Sequence, residues 1–211
     1  MHNNINYYTP DSPLLGQPQA TEAQASAYML RRPHSSAYDD GSIPNVIVPT
    51  YFSICQGVGL DAVLLIAQMI HESGNLTSWW SQRPRRNPAG IGVTGRGQTS
   101  RPATGTWAWD GRIWAEGVSF GSWADESIPA HVGRLLAYAL PQTKTDHGWV
   151  VHGTPAQSAL IKTALAYRDL PDRLRGAAPT LRGLQGTWAV PGRFYAKRLA
   201  MIANAICAVQ V

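Results

Sequence analysis

The distribution of apolar residues singles out one segment of this chain as the centre of the fold. Residues 60–72 carry apolar side chains on every face of a helix, a pattern that is typical of a buried central helix. Asp61 lies in the first turn, where a negative charge is favoured, and Gly74 follows the last turn as an expected C-cap. The pattern therefore predicts that the core is built around this segment.

Apolar residues with helical spacing predict further helices on both sides of the central one. These helices run from residue 21 to about 32, from 43 to 58 with Pro49 inside or at the start, from 128 to 139, from 154 to about 168, and from 193 to about 209. Residues 1–20, rich in Asn, Pro and Tyr, predict an extended lead-in. Residues 21–211 then form a single domain.

The middle of the chain has a different composition. Residues 79–123 are rich in Gly, Pro, Arg, Thr and Trp. Within this stretch, residues 106–109 and 112–114 flank the dipeptide Asp110-Gly111, which predicts a β-hairpin with a tight turn. The predicted fold class is therefore α+β and mainly α-helical, with one small β-hairpin lobe.

Charge and aromatic content narrow the kinds of partner. The net charge of +5 suits an anionic partner such as nucleic acid, acidic lipid or the bacterial cell wall. Eight Trp against three Phe supply flat faces that stack on bases or on sugars. The scattered Arg residues and the absence of a recognised binding signature disfavour nucleic acid. No apolar run reaches 18 residues, so no membrane span is predicted.

Metal, redox and export signals are weak. His71-Glu72 begins like a zinc-protease helix, but residue 75 is Asn rather than His, and His147 and His152 have no partner ligands, so we predict neither metal nor cofactor. The two cysteines, Cys55 and Cys207, lie in apolar runs and favour free thiols. The polar N-terminus has no signal-peptide core, so secretion would require a separate leader or a phage-type release route.

Glu72 is the strongest candidate for chemistry. It ends the apolar central helix, and in the helical register Gln68 and Leu65 share its face. Desolvation by the apolar neighbours and the negative end of the helix dipole both favour the neutral form of a carboxyl group there. A carboxyl group that stays protonated near neutral pH is what a glycosidase general acid requires. A solvated glutamate is the common alternative at a helix end.

Short motifs around Glu72 remove much of this ambiguity. Residues 67–74 read Ala-Gln-x-x-x-Glu-Ser-Gly, and residues 87–92 read Asn-x-x-Gly-Ile-Gly. Residues 120–123 with Ser127 and His131, then 188–189 and 195–196, follow in order. Together these blocks resemble the glucosaminidase family of peptidoglycan hydrolases, lysozyme-like endo-β-N-acetylglucosaminidases of the flagellar and autolysin type (glycoside hydrolase family 73). The resemblance covers most of the chain, from about residue 58 to 206.

The resemblance implies a lysozyme-like fold in which a helical lobe faces a hairpin lobe across a glycan groove. It implies that Glu72 protonates the leaving oxygen when the β-1,4 bond between N-acetylglucosamine and N-acetylmuramic acid of a peptidoglycan strand is cut. It also implies a secreted or cell-wall-associated protein without a cofactor. The residues expected to bind substrate are Gln68, Trp79, Trp80, Asn87, Gly90, Ile91, Trp109, Trp188 and Tyr195.

The second carboxylate departs from the family pattern. Many members carry a Glu on the hairpin strand before the turn, where this chain has Trp107 or Trp109. Glu116 is the better candidate for the catalytic base, since Asp110 is explained by its turn. If neither acid reaches the sugar, the acetamido group of the substrate supplies the nucleophile. Trp188 also replaces the closing Tyr of the family, which leaves the role of a phenol there open.

Other functions remain compatible with the sequence. A non-catalytic wall- or glycan-binding module would keep the Trp-rich groove, and a muramidase or chitin-type lysozyme-like hydrolase would keep the acid. Arg83, Arg85 and Arg86 precede the Asn87 turn and suit either peptide-stem carboxylates and wall phosphates or a solvated basic loop. Oligomeric state leaves no signature in the sequence.

Overall fold

The central helix forms as the apolar pattern predicts. In the computed structural model, which describes residues 7–211, this helix is α3 (Ala62–Ser73). Every residue from 62 to 70 is buried. The Asp61 carboxylate caps the helix by accepting hydrogen bonds from the N–H groups of Val63 and Leu64, and Gly74 ends it in a left-handed conformation with φ of 59°.

The other helices surround α3 either directly or through a neighbouring helix, and the ends of the predicted ones lie close to the expected positions. They are α1 (Glu22–Leu30), α2 (Val48–Val58), α4 (Ile128–Ala139), α5 (Pro155–Tyr167), α6 (Leu181–Leu184) and α7 (Tyr195–Cys207). One short helix, at residues 181–184, was not predicted. Short π-helical segments, Ile43–Ile47 and Trp123–Ser127, lead into α2 and α4, and single 3-10 turns form at Ser36–Tyr38 and Asp172–Leu174. The predicted helix 43–58 is therefore divided. Pro49 lies in the first turn of α2, where its missing N–H costs no helical hydrogen bond.

The N-terminal segment is extended, as predicted, but it packs against the core. Leu14 is buried and its N–H donates to the backbone oxygen of Pro179, while the Tyr8 hydroxyl donates to the Asp61 carboxylate at 2.8 Å. Residues 7–20 therefore support the start of α3 instead of forming a separate lead-in. The prediction for residues 1–6 lies outside the described residues.

The predicted hairpin is present in a three-stranded antiparallel sheet with the order β1-β3-β2. Its strands are β1 (Gly97–Gln98), β2 (Trp107–Trp109) and β3 (Trp114–Glu116). The predicted turn was Asp110-Gly111, but the N–H of Asp110 donates to the backbone oxygen of Ile113. The two residues at the turn are therefore Gly111 and Arg112, one position later than predicted. Gly111 supplies the positive φ, 102°, that the turn needs. The shift brings Glu116 into β3, opposite Trp107.

A second hairpin, β4 (Gln142–Thr145) and β5 (Gly148–Val151), was not predicted. Its Thr, Trp and Val residues have the composition of strands, and Asp146-His147 forms its two-residue connection. The strand sequences, QTKT and GWVV, lack the alternation of apolar and polar residues that marks a half-buried strand. The prediction of a single hairpin was therefore wrong.

The remaining sequence expectations concern cysteines, membranes and metals. Cys55 is buried and Cys207 is partly buried, and both are free thiols, as predicted. Within residues 7–211, no helix combines the length and apolarity that a bilayer span requires. The same residues contain no group of three or more His, Cys, Asp or Glu side chains placed to hold a metal ion.

The close packing of α4 against α5 depends on one glycine. A Cβ atom at Gly133 of α4 would lie 2.2 Å from the backbone oxygen of Leu160 and 2.9 Å from the Cβ of Ala164, both in α5. We expect Gly133→Ala to lower the free energy of unfolding by about 2 kcal/mol or more, although alanine favours helix by about 1 kcal/mol. Urea denaturation measures this change.

Gly57→Ala in α2 is the matched control, because no atom lies within 4 Å of the added methyl group. This variant should stabilise the protein by roughly 0.5–1 kcal/mol. Equal effects of the two substitutions would contradict the close α4–α5 contact.

Candidate active site

Glu72, at the end of α3, is held by two donors from the C-terminal part of the chain. Its Oε1 atom accepts hydrogen bonds from the Tyr195 hydroxyl at 2.5 Å and from the Trp188 indole N–H at 3.1 Å. The side chain is half-buried. Its Oε2 atom has no hydrogen-bond partner among residues 7–211, so this oxygen is the position from which a proton can be delivered.

A chain of buried hydrogen bonds continues behind Tyr195. Gln68 donates from Nε2 to the Tyr195 hydroxyl at 2.9 Å, and its Oε1 lies 3.0 Å from Nε2 of His131. Nδ1 of His131 lies 2.7 Å from the Tyr51 hydroxyl. Side chains from α2, α4, α3 and α7 thus form one connected path that ends on Glu72.

The chemistry of these groups gives the path a direction. Burial lowers the pKa of His131 to about 3, so the imidazole is neutral at physiological pH and has one N–H and one acceptor nitrogen. Burial raises the pKa of Tyr51 and Tyr195 well above the usual value, so both phenols keep their protons. If Tyr195 donates to Glu72, then Gln68 donates to Tyr195, His131 to Gln68, and Tyr51 to His131. Aligned donors of this kind polarise and strengthen one another.

A polar groove lies next to this part of the site. Trp188, which donates to Glu72, is also one of the residues that line the groove. The groove has a volume of about 210 Å³. Its lining residues are Ala89, Gly90, Ile91, Gly92, Val93, Thr94, Arg134, Tyr138, Arg168 and Trp188. One wall is therefore the turn that contains the Asn-x-x-Gly-Ile-Gly motif.

Asn87 gives this turn its shape from below the surface. The side chain is 1% exposed, and its Nδ2 donates to the backbone oxygens of Ile91 and Val118 at 2.8 and 3.0 Å. Its Oδ1 accepts from the N–H of Ile91 at 2.8 Å. Asn87 is therefore a positioning residue in this conformation, whereas Gly90, with φ of 63°, lies exposed on the turn and lines the groove.

Glu116 contacts two residues that line the same groove. Its Oε2 accepts a hydrogen bond from the Thr94 hydroxyl at 2.5 Å, and its Oε1 lies 3.9 Å from Nη1 of Arg168. Thr94 and Arg168 both line the groove. The Asp110 carboxylate, in contrast, accepts the N–H groups of Ile113 and Arg112 in the hairpin turn, and these bonds lower its pKa. Its conformation thus matches the turn role expected from the sequence.

The tryptophans expected to contact sugar are only partly available. The Arg85 guanidinium lies 3.7 Å from the centre of the Trp79 ring, which is roughly perpendicular to the Trp80 ring. The Trp80 ring packs against Gly117 so closely that a Cβ there would lie 2.4 Å away. Trp109 is the most accessible, with 47% of its surface exposed beside Trp114.

The basic loop before Asn87 is occupied by contacts within the chain. Arg83 pairs with the Asp40 carboxylate at 2.7 Å, and Arg85 stacks on Trp79. Arg86 donates to the backbone oxygens of Pro84 and Phe120 at 3.0 and 3.3 Å. These contacts favour a structural role for all three arginines over the binding of wall anions.

Gln68 and Tyr195 also lie under the groove surface, with 1% and 4% of their surface exposed. They support Glu72. At position 188, where Trp replaces the closing Tyr of the family, an indole N–H donates to Glu72 in place of a phenol. The supporting residues Tyr51 and His131 were not predicted as site residues. A signal was present, since His131 lies among Ile128, Val132 and Leu135 of an apolar helix, and a buried polar side chain requires a partner.

Comparisons with known proteins give one likeness of fold. No protein-family model and no curated protein matches the chain. Among solved structures, the crystal structure of the catalytic domain of the autolysin Auto from Listeria monocytogenes is similar, with 20% identity and a TM-score of 0.40 over 87% of this chain and 92% of that one. An overlap of this extent assigns no activity to the present chain.

The neutral state of His131 predicts a specific pH dependence. The unfolded chain takes up a proton on this residue near pH 6.5, whereas the folded protein does so only near pH 3. His131 therefore stabilises the folded state fully above pH 6.5, and stability falls by up to about 1.4 kcal/mol per pH unit below it. We expect His131→Gln to cost about 1–3 kcal/mol at pH 7.5, a gap that narrows as the pH falls from 6.5 to 4.

Chemical denaturation of both proteins across this range measures the gap. Burial raises the pKa of Asp61 to about 6, so the contribution of Asp61 to stability rises as the pH falls, opposite to that of His131. This contribution is common to both proteins and cancels in the difference between them. His147→Gln, at the exposed tip of the second hairpin, should follow the parent curve. Parallel curves for the parent and His131→Gln would contradict a buried neutral imidazole.

Proposed function

We propose that this chain is a glycoside hydrolase that cuts the glycan strands of bacterial peptidoglycan, with Glu72 as the general acid. The observation that carries the proposal is the environment of Glu72. One carboxylate oxygen accepts two protein donors, the other has no hydrogen-bond partner among residues 7–211, and Trp188, one of the donors, also lines a polar groove. This arrangement suits a carboxyl group that donates a proton to a bound substrate.

The hydrogen bonds to Oε1 act mainly after proton transfer. When Glu72 gives its Oε2 proton to the glycosidic oxygen, negative charge develops on the carboxylate. The Tyr195 hydroxyl and the Trp188 N–H then bind a full charge, which strengthens both bonds, and the path through Gln68 polarises in the same direction. Interactions that grow stronger during the reaction lower its barrier.

Glu116 is the candidate for the second carboxyl group. The Thr94 hydroxyl donates to one of its oxygens, and the guanidinium of Arg168 lies 3.9 Å from the other. In that role Glu116 activates the attacking water. The alternative is that the acetamido group of the substrate attacks the sugar carbon, with Glu72 still acting as the acid.

The sequence resemblance supports the β-1,4 bond between N-acetylglucosamine and N-acetylmuramic acid as the site of cleavage and a protein that acts on the cell wall. A muramidase would use the same acid on the other linkage of the strand. A non-catalytic glycan-binding module is the rival from a different class. It would have no use for a carboxylate that accepts two donors, one of them from a residue that lines the groove.

Substitution of the acid tests the proposal. Glu72→Gln keeps the shape of the side chain and should leave the melting temperature close to that of the parent. Lysis of purified sacculi should fall by a factor of about 100 or more, because the amide has no proton to transfer. The readout is the rate of turbidity loss at equal protein concentration.

Asp110→Asn is the matched control, since it makes the same carboxylate-to-amide change in a turn whose N–H groups the amide oxygen still accepts. Its lytic rate should stay within about twofold of the parent, because surface changes away from a site have small effects. A Glu72→Gln protein as active as the parent would refute the role of Glu72.

Glu116→Gln separates the two routes for the second step. If Glu116 activates water, the turnover rate should fall by a factor of about 100 or more, and Thr94→Val, which removes only the hydroxyl, should cause a smaller loss. Activity of Glu116→Gln within a few-fold of the parent would exclude Glu116 as the base and favour attack by the acetamido group.

A further inference from the structure

Two arginines to which the proposed reaction gives no substrate contact line the groove that Trp188 shares. Arg134 lies on α4 and Arg168 directly follows α5, and both line the groove together with Tyr138, Trp188 and the turn at residues 89–94. The pair is well separated in sequence from the basic loop at residues 83–86.

Most of the donors on these two side chains are not used by the described part of the protein. The Arg134 guanidinium makes one hydrogen bond, from Nη1 to the backbone oxygen of Arg168 at 2.6 Å, with the Tyr138 phenol beside it. The Arg168 guanidinium makes no hydrogen bond within residues 7–211, and its carboxylate neighbour is Glu116 at 3.9 Å. A guanidinium has five N–H donors, so this wall offers a cluster of donors to a ligand.

The charge of the wall is also incompletely balanced. Glu116 is 12% exposed and already bound to Thr94, and Asp169, next to Arg168, pairs with Arg175 at 2.8 Å. Arg134 is partly buried, and the loss of solvation there lowers its pKa. A partly buried cation with spare donors favours an anionic partner.

We propose that Arg134 and Arg168 form a carboxylate-binding subsite of the groove. This inference rests on the proposed function, and it specifies that the bound strand carries an acidic group close to the cleaved bond. In peptidoglycan that group is either the lactyl carboxylate of a muramoyl residue or a carboxylate of its peptide stem. A guanidinium binds a carboxylate through two parallel hydrogen bonds, and neutral chitin offers no such group. The subsite therefore selects acidic wall strands over neutral polymers of N-acetylglucosamine.

Binding measurements in a Glu72→Gln background test the subsite without consuming the probe. Three soluble probes are compared by calorimetry: a neutral oligomer of N-acetylglucosamine, wall strands stripped of their stems by an amidase, and wall strands that retain them. Removal of the stem frees the lactyl carboxylate. In intact strands the lactyl group forms an amide with the stem, and the free carboxylates are those of the stem.

We expect Arg168→Gln to weaken binding of at least one acidic probe by roughly tenfold and to leave the neutral oligomer unchanged, because a hydrogen bond to a charged group is lost. A loss confined to stripped strands identifies the lactyl group, and a loss confined to intact strands identifies the stem. Arg134→Lys, which keeps the charge but loses the planar fork, should weaken the same probe.

Lys162→Gln is the control. It removes one exposed positive charge from α5, the helix that Arg168 follows, at a residue that lines a different groove. It should bind all three probes like the Glu72→Gln parent, and thermal melting of each variant verifies that it is folded. The proposal is overturned if Arg168→Gln binds both acidic probes normally, or if it loses affinity for the neutral oligomer equally. Absence of wall lysis by the unmodified protein would instead refute the proposed function, since this binding assay requires no cleavage.

Discussion

The hydrogen bonds to Oε1 of Glu72 are the interactions on which the site depends. They join the last turn of the central helix to the start of α7 and to the loop before it, so side chains 116 and 123 positions further along the chain meet at one carboxylate. Within the described part of the chain, the second oxygen has no hydrogen-bond partner. Without Tyr195 and Trp188, Glu72 would be a half-buried carboxylate with no fixed orientation toward the groove.

The path behind Tyr195 explains why polar side chains are tolerated in an apolar core. Gln68 and His131 have 1% and 0% of their surface exposed, and an unpaired amide or imidazole there would cost about 1–3 kcal/mol. Each polar atom of the two side chains on this path has a partner. The complete pairing both removes this cost and fixes the side-chain conformations, so Glu72 is oriented by side chains from four helices.

Local signals in the sequence predicted the helices well, because their causes are local. The cap at Asp61, the glycine at 74 and the Thr154-Pro155 start of α5 all act within one turn of the chain. Glu72 was selected because it ends an apolar helix and belongs to the motif at residues 67–74, and its catalytic role stays a prediction. The second hairpin was missed because its exposed strands carry no clear alternation of apolar and polar residues.

The orientation of individual side chains was much harder to predict. Gln68, Asn87 and Tyr195 were all expected to touch substrate, whereas each is buried and supports another group. Motif spacing shows that residues share a neighbourhood but not which side of the backbone they occupy. The pair Arg134 and Arg168 gave no motif at all, since only the packing of α4 against α5 brings the two together.

The most direct measurement is the chemical identity of the ends that the protein creates in purified peptidoglycan. New reducing ends can be labelled by reduction with borohydride and then identified by mass spectrometry after the strands are degraded. The account predicts reduced N-acetylglucosamine ends that accumulate with time and depend on Glu72. Reduced N-acetylmuramic acid would contradict the proposed bond, and the absence of any new reducing sugar would contradict a glycan hydrolase altogether.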